Sequence, residues 1–201
     1  MKILKLINAL PIIAIGVLTW YGLQPKTSDK TVLSVPGNSA TIQIPNGEPD
    51  PDAAASLPEY EVIPGSIHDG DTLRVRSSDG QVLKVRFACI DAPEIKQPLG
   101  EESRNHLRSI IKKGNNKVKL QPITIDRYGR TVAELWNGNG LIQSQMAIAV
   151  MAYGYEQYKK DCPNWWEAIE STQAQAQEAK LGVWKLQGGG QRPWDYRKSS
   201  R

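Results

Sequence analysis

Residues 66–94, "SIHDGDTLRVRSSDGQVLKVRFACIDAPE", decide the fold. Within them "TLRVRS" (72–77) and "VLKVRFACI" (82–90) alternate apolar with basic or polar residues, the period of two expected of strands with one buried face. Ser, Asp and Gly separate the two runs. Similar short runs rich in Val, Ile and Thr stand at 60–67 ("YEVIPGSI"), 117–125 ("KVKLQPITI") and 131–136 ("TVAELW"), which makes five strands. Helical patterns occupy 100–114 ("GEESRNHLRSIIKKG"), 141–154 ("LIQSQMAIAVMAYG") and 163–182 ("PNWWEAIESTQAQAQEAKLG"). In the last, Pro163 stands at a first turn and Gly182 at a C-cap, while Trp165, Trp166, Ile169 and Ala176 fall at the spacing of a core face. Five strands with a helix inserted after the third predict an α+β domain over 59–186, a five-stranded OB-type β-barrel with three helices.

Outside that domain the composition changes. Lys2 and Lys5 precede "LINALPIIAIGVLTWYGL", uncharged until Lys26, so residues 1–25 read as an export signal. No small-x-small cleavage site follows, and the run 6–23 approaches the roughly 20 residues that span a bilayer, so a cleaved signal and a retained membrane anchor both fit. Residues 26–58 are rich in Pro, Ser, Thr, Asp, Asn and Gly, too poor in apolar surface to offset their ordering entropy, and read as a flexible linker. In it "ATIQI" (40–44) has the make-up of a short strand but is read first as a lone apolar patch in a tether. Residues 187–201 form a C-terminal tail. The whole chain has 201 residues, 40% of them hydrophobic, and a formal net charge of +4, which permits a polyanionic partner without requiring one.

The acids carry the chemistry. Asp69-Gly70 alone reads as a hairpin turn, with Asp in an Asx-type bond and Gly at positive φ. Farther on, Arg86, Asp91 and Glu94 lie within nine residues. In an unbroken strand Arg86 and Asp91 would face opposite ways, unless a bend near Cys89 re-aims one of them. Pro93 holds Ala92 extended and fixes the exit of Glu94. The turn "DRYGR" (126–130) adds Arg127 and Arg130. Asp71, Asp91 and a backbone carbonyl between them suit a hard divalent cation. Glu94 can deprotonate a water, and two arginines can neutralise charge on phosphoryl oxygens, the requirements of phosphodiester hydrolysis.

These motifs, "DGDT" (69–72), Arg86 with "IDAPE" (90–94), "DRYGR" (126–130), "AYGY" (152–155) and "GVW" (182–184), resemble those of the staphylococcal nuclease family in order and spacing, over nearly all of 59–184. The resemblance implies a calcium-dependent endonuclease that acts on DNA and RNA, preferring single-stranded or flexible regions, and leaves 3′-phosphate ends. It implies that Asp71, Asp91 and the Ala92 carbonyl ligate calcium, with Asp69 in a supporting position. Glu94 would be the base, Arg86 and Arg130 the phosphate-binding arginines, and Tyr153 and Tyr155 the lining of the nucleotide pocket. Arg127 stands where the family's best-known member has lysine and keeps a positive charge near the substrate. Tyr153 and Tyr155 equally suit packing against the barrel. The tail "RPWDYRKSSR" is similar to tails of exported bacterial members.

In a cytosolic chain Cys89 would be an ordinary buried residue, but an exported chain with two cysteines is expected to join Cys89 to Cys162 and pin the last helix to the barrel. No protein partner is indicated and a monomer is expected, secreted, periplasmic or anchored outside the cytoplasmic membrane. Two rivals remain: a catalytically silent OB-type module that binds nucleic acid, and a rigid interaction head on a membrane stalk. The second leaves the carboxylates unexplained.

Overall fold

The computed structural model describes residues 54–162 and 165–200, together with the backbone of two short strands at 32–34 and 41–43. The segments assigned to the export signal and membrane anchor, and Pro163, lie outside the described residues. Among the described residues no helix is long and apolar enough to cross a membrane.

The two short strands, β1 (Val32–Ser34) and β2 (Thr41–Gln43), pair antiparallel. Residues 41–43 are therefore a strand and not a lone patch: the two β-branched segments supply each other's ladder partners, Val32 with Gln43 and Leu33 with Ile42.

The barrel follows. It comprises β3 (Glu59–Val62), β4 (Thr72–Arg76), β5 (Val82–Phe87), β7 (Lys117–Ile125) and β8 (Thr131–Asn137). The sheet runs β5-β4-β3-β7-β8, and a parallel pairing of β5 with β8 closes it, so no barrel strand is left with an open edge. Alternation places Leu73 and Val75 of β4 in the core and sends Arg74 and Arg76 outward. Pro122 would leave a gap in a central ladder, and the β7–β8 register shifts between Pro122 and Thr124 to absorb it.

A two-residue strand β6 (Ile90–Asp91) leaves the barrel, and α1 (Gly100–Lys113) follows, buried along Leu107, Ile110 and Ile111. After β8 come the short β9 (Gly140–Leu141), α2 (Ile142–Ile148), β10 (Tyr153–Gly154), α3 (Trp166–Glu178) and α4 (Pro193–Ser199). The helix expected over 141–154 is only seven residues long. The chain turns at Val150, whose φ is 56°, so that β10 can pair antiparallel with β6 and set Tyr153 opposite Asp91. The last helix ends at Glu178 and not at Gly182. Gly182 serves a different need, with φ 48° and a space that a Cβ would share with the Val150 carbonyl oxygen at 2.1 Å. The expected trio of helices is joined by a fourth, α4, with Pro193 at its start.

The core has two parts. The barrel interior, with Phe87, Leu120 and Leu135, continues into the faces of α1, α2 and α3. A second cluster gathers Val150, Tyr153, Ala176, Leu181, Val183 and Trp184, with Leu99 and Trp194 packed on it. Trp165, Trp166, Ile169 and Ala176 are buried. A disulfide joins Cys89 to Cys162 across a sequence separation of 73. In the chain-entropy view a loop of that size contributes roughly 4 kcal/mol. The double variant Cys89→Ser/Cys162→Ser is therefore expected to lose about that much in urea unfolding, and a loss under roughly 1 kcal/mol would contradict it.

Candidate active site

The site is assembled where β4 begins, β5 ends and β6 turns away. Cys89 adopts φ 69°, the left-handed bend that reverses the facing of the chain between Arg86 and Asp91. As a result the Arg86 Nη2 donates to Asp91 Oδ1 at 2.7 Å and lies 3.4 Å from Asp71 Oδ2, while Nη1 donates to the Phe87 carbonyl at 2.7 Å. Arg86 is 3% exposed and Asp91 fully buried. Burial works against the charge on Arg86, but Asp71 and Asp91 more than offset it and hold the guanidinium firmly protonated.

Asp71 is fixed from three sides. Its Oδ2 accepts from the Ala92 amide at 2.6 Å, its Oδ1 accepts from the Thr72 hydroxyl at 3.0 Å, and its own amide donates to Asp69 Oδ1 at 3.2 Å. That last bond is the Asx-type turn. Gly70, however, does not have the positive φ expected of it; a Cβ there would stand 1.9 Å from Ser103 Oγ and 2.8 Å from the Ala92 Cβ. Gly70 is needed because the turn packs directly on α1 and on the β6 exit, which brings Asp69, Asp71 and Ala92 together. Burial, and then the charge of Asp71, push Asp69 up to about 7.

Glu94 is 28% exposed, and its amide donates to Gln97 Oε1 at 2.9 Å. It lines an open groove of about 1500 Å³ together with Asp69, Asp71, Arg86, Arg127, Arg130 and Tyr155. In the turn after β7, Asp126 Oδ1 accepts from the amides of Tyr128 and Arg130, and Asp126 Oδ2 accepts from Arg130 Nε at 2.6 Å. Arg130 is aimed in this way, and its terminal nitrogens make no hydrogen bond among the described residues. Arg127 donates to the Tyr128 hydroxyl, and Arg127 and Arg130 lie 4.8 and 5.5 Å from the centre of the exposed Tyr128 ring.

The two tyrosines separate. Tyr155 lines the groove, its hydroxyl bonded to Gln157. Tyr153 does not reach the groove: it is buried, its hydroxyl donates to the Gly189 carbonyl, and its ring meets Trp184 and Trp194 edge-on. In a continuous strand residues two apart would share a face, but β10 ends at Gly154 and Tyr155 opens the next turn, its amide donating to the Cys89 carbonyl at 2.8 Å, so the two side chains part.

The C-terminal tail also reaches the site. α4 lies against the site, Trp194 stacks on Tyr155 with centroids 5.1 Å apart, and Arg197 reaches Asp91 and Glu94. Burial opposes the Arg197 charge, but hydrogen bonds and charge from Asp91 and Glu94 outweigh it and raise its pKa. Proline at the start of "PWDYRKS" announces a helix, and nothing local announces where it docks.

The donor set fits a hard divalent cation. Asp71 and Asp91 both lie within 3.4 Å of one Arg86 nitrogen, and every offered atom is oxygen. Among the described residues no group of three or more His, Cys, Asp and Glu side chains is placed to hold a metal ion.

Away from the groove, burial raises the carboxyl of Glu134 on β8 above its usual 4.5. The folded state then holds a proton that the unfolded chain has released. The contribution of Glu134 to stability is therefore most favourable below about pH 4.5 and falls as pH rises toward the folded-state value. Glu134→Gln is expected to flatten this decline, matching the parent at pH 4 and exceeding it at pH 7. Parallel melting curves across that range would contradict it.

A sequence profile described as "Staphylococcal nuclease homologue" matches residues 84–186. The match begins inside β5, after the Asp69–Asp71 turn. A probable staphylococcal-like nuclease of Oryza sativa subsp. japonica is 34% identical over 147 residues, 70% of this chain and 36% of its own length. An uncharacterized endonuclease of Haemophilus influenzae is 36% identical over 118 residues, 59% of this chain and 62% of its own. A micrococcal nuclease of Shigella flexneri is 31% identical over 144 residues, 67% of this chain and 79% of its own. The chain thus spans less than two thirds of the rice and Haemophilus proteins.

Proposed function

The chain belongs to the staphylococcal nuclease family, and on that premise we propose that it is an endonuclease that hydrolyses phosphodiester bonds of DNA and RNA, dependent on calcium and leaving 3′-phosphate ends. The observation that carries this reading is the convergence of Asp71, Asp91, Arg86 and Glu94 from separate elements beside one groove.

In this reading the cation is held by the carboxylates of Asp71 and Asp91 and the carbonyl of Ala92. When bound it supplies Lewis-acid stabilisation of the charge that builds on the scissile phosphate. The rest is done by the chain. Glu94, half-buried at the groove, accepts a proton from the attacking water. Arg130, aimed by Asp126, offers its terminal nitrogens to the phosphoryl oxygens. Arg86 anchors both aspartates and contributes its fixed charge to the same oxygens. Tyr155 forms the wall against which a base rests, and Arg127 adds positive charge at the mouth. An open groove suits a flexible strand whose phosphate can be drawn in.

The test uses the purified chain with heat-denatured DNA and with RNA, in calcium, in magnesium and in chelator, followed by end-group analysis. Cleavage in calcium that chelator abolishes and that leaves 3′ phosphates supports the proposal. Binding of the strand without cleavage in any cation would instead favour the silent OB-type module. We further propose export, supported by the basic-apolar order of residues 1–25 and by the disulfide. Protease treatment of intact cells that leaves the protein untouched, with none in the medium or periplasm, would overturn it.

A further inference from the structure

The C-terminal helix places a third arginine among the groups assigned to the cation and the water. Arg197 Nη2 donates to Asp91 Oδ2 at 2.7 Å, and Nη1 donates to Asp91 Oδ1 at 3.1 Å and to Glu94 Oε1 at 2.8 Å. Both oxygens of Asp91 therefore hold a guanidinium, and Oδ1 holds that of Arg86 as well. The fork is the bidentate geometry in which arginine binds a carboxylate most firmly.

The placement is built and not incidental. Pro193 is buried. Trp194 stacks on Tyr155. Arg192 lies 4.4 Å from the centre of the Trp184 ring and 4.7 Å from that of Tyr153, and donates to the Gly189 carbonyl at 2.9 Å. Gln97, three residues beyond Glu94, donates to the Gln191 carbonyl at 2.8 Å. These contacts tie both ends of the approach to α4, so Arg197 is delivered to Asp91 by packing. At 37% side-chain exposure it remains at the groove surface, able to leave without unfolding the core.

We propose that Arg197 is a determinant of cation affinity: it competes with the divalent cation for Asp91, and the cation displaces it. The inference rests on the assignment of Asp91 as a cation ligand. A cation cannot use Asp91 oxygens whose lone pairs accept from Arg197 without sharing or breaking those bonds, and the two positive charges repel at that range. Because such coupling is reciprocal, cation binding loosens α4 as much as α4 weakens the cation.

The experiment is calorimetric titration of calcium into the full chain, beside Arg197→Ala, Arg197→Lys and Asp91→Asn. Arg197→Ala is expected to bind calcium at least about ten-fold more tightly. Arg197→Lys keeps the charge without the fork and should fall between. Amide exchange in residues 193–199 should speed up on adding calcium to the parent. Equal or weaker calcium binding by Arg197→Ala, with Asp91→Asn still abolishing it, overturns the competition alone. Calcium binding that survives Asp91→Asn, or is absent throughout, overturns the ligand assignment and this inference with it.

Discussion

Glu94→Gln is expected to slow cleavage of heat-denatured DNA by a factor of about 10² to 10⁴, the usual contribution of a positioned base. The amide keeps the shape of the carboxylate and loses its ability to take a proton. Glu94 is partly exposed, and what it gives up structurally is the charge of one ion pair with Arg197, whose N–H the amide oxygen can still accept, so the fold should survive with little change. The measurement is single-turnover cleavage with saturating calcium, alongside the melting temperature. A rate within about three-fold of the parent would remove Glu94 from the role of base, since partial rescue of a base by an amide has no chemical route.

Arg86→Ala is expected to cost about 3–5 kcal/mol of stability in chelator, before any question of activity arises. Arg86 is nearly inaccessible and is the shared partner of Asp71, Asp91 and the Phe87 carbonyl. Its removal leaves two buried carboxylates facing each other, with Arg197 alone still on Asp91. Calcium should recover part of the loss, because a cation between those carboxylates replaces the missing charge. Urea unfolding with and without calcium reads both effects. A loss below roughly 1 kcal/mol would mean that the aspartates are neutral or solvated without the arginine. The two variants therefore separate a group that acts on the substrate from one that first holds the site together.

Much of the site was legible because its parts sit in short segments with strong local signals. "TLRVR" and "VLKVRF" can only bury one face by lying as strands, and the order of strands and helices left few closed topologies. Asp71, Arg86, Asp91 and Glu94 could be singled out because carboxylates and arginines clustered beside a barrel strand have few structural uses. Gly70 misled: Asp-Gly signals a turn with positive φ, whereas the residue is needed for the approach of Ser103 and Ala92. The extended helix over 141–154 failed for a related reason. Local propensity favours its continuation, but the pairing of Tyr153 with Asp91 requires a strand.

By itself the sequence determined the barrel strands, the three helices that pack on it in place if not in length, and which pair of cysteines is joined, and it singled out the acids and arginines proposed for the site. Those follow from residue type and short-range period. The tertiary structure alone decided that the bend at Cys89 turns Arg86 onto Asp91, that Tyr153 packs inward while Tyr155 faces the groove, and that Arg197 closes on an aspartate 106 residues away. The reason is physical. Period and propensity act over a few residues, whereas the energy that fixes these three comes from contacts between segments distant in the chain, which no local pattern encodes.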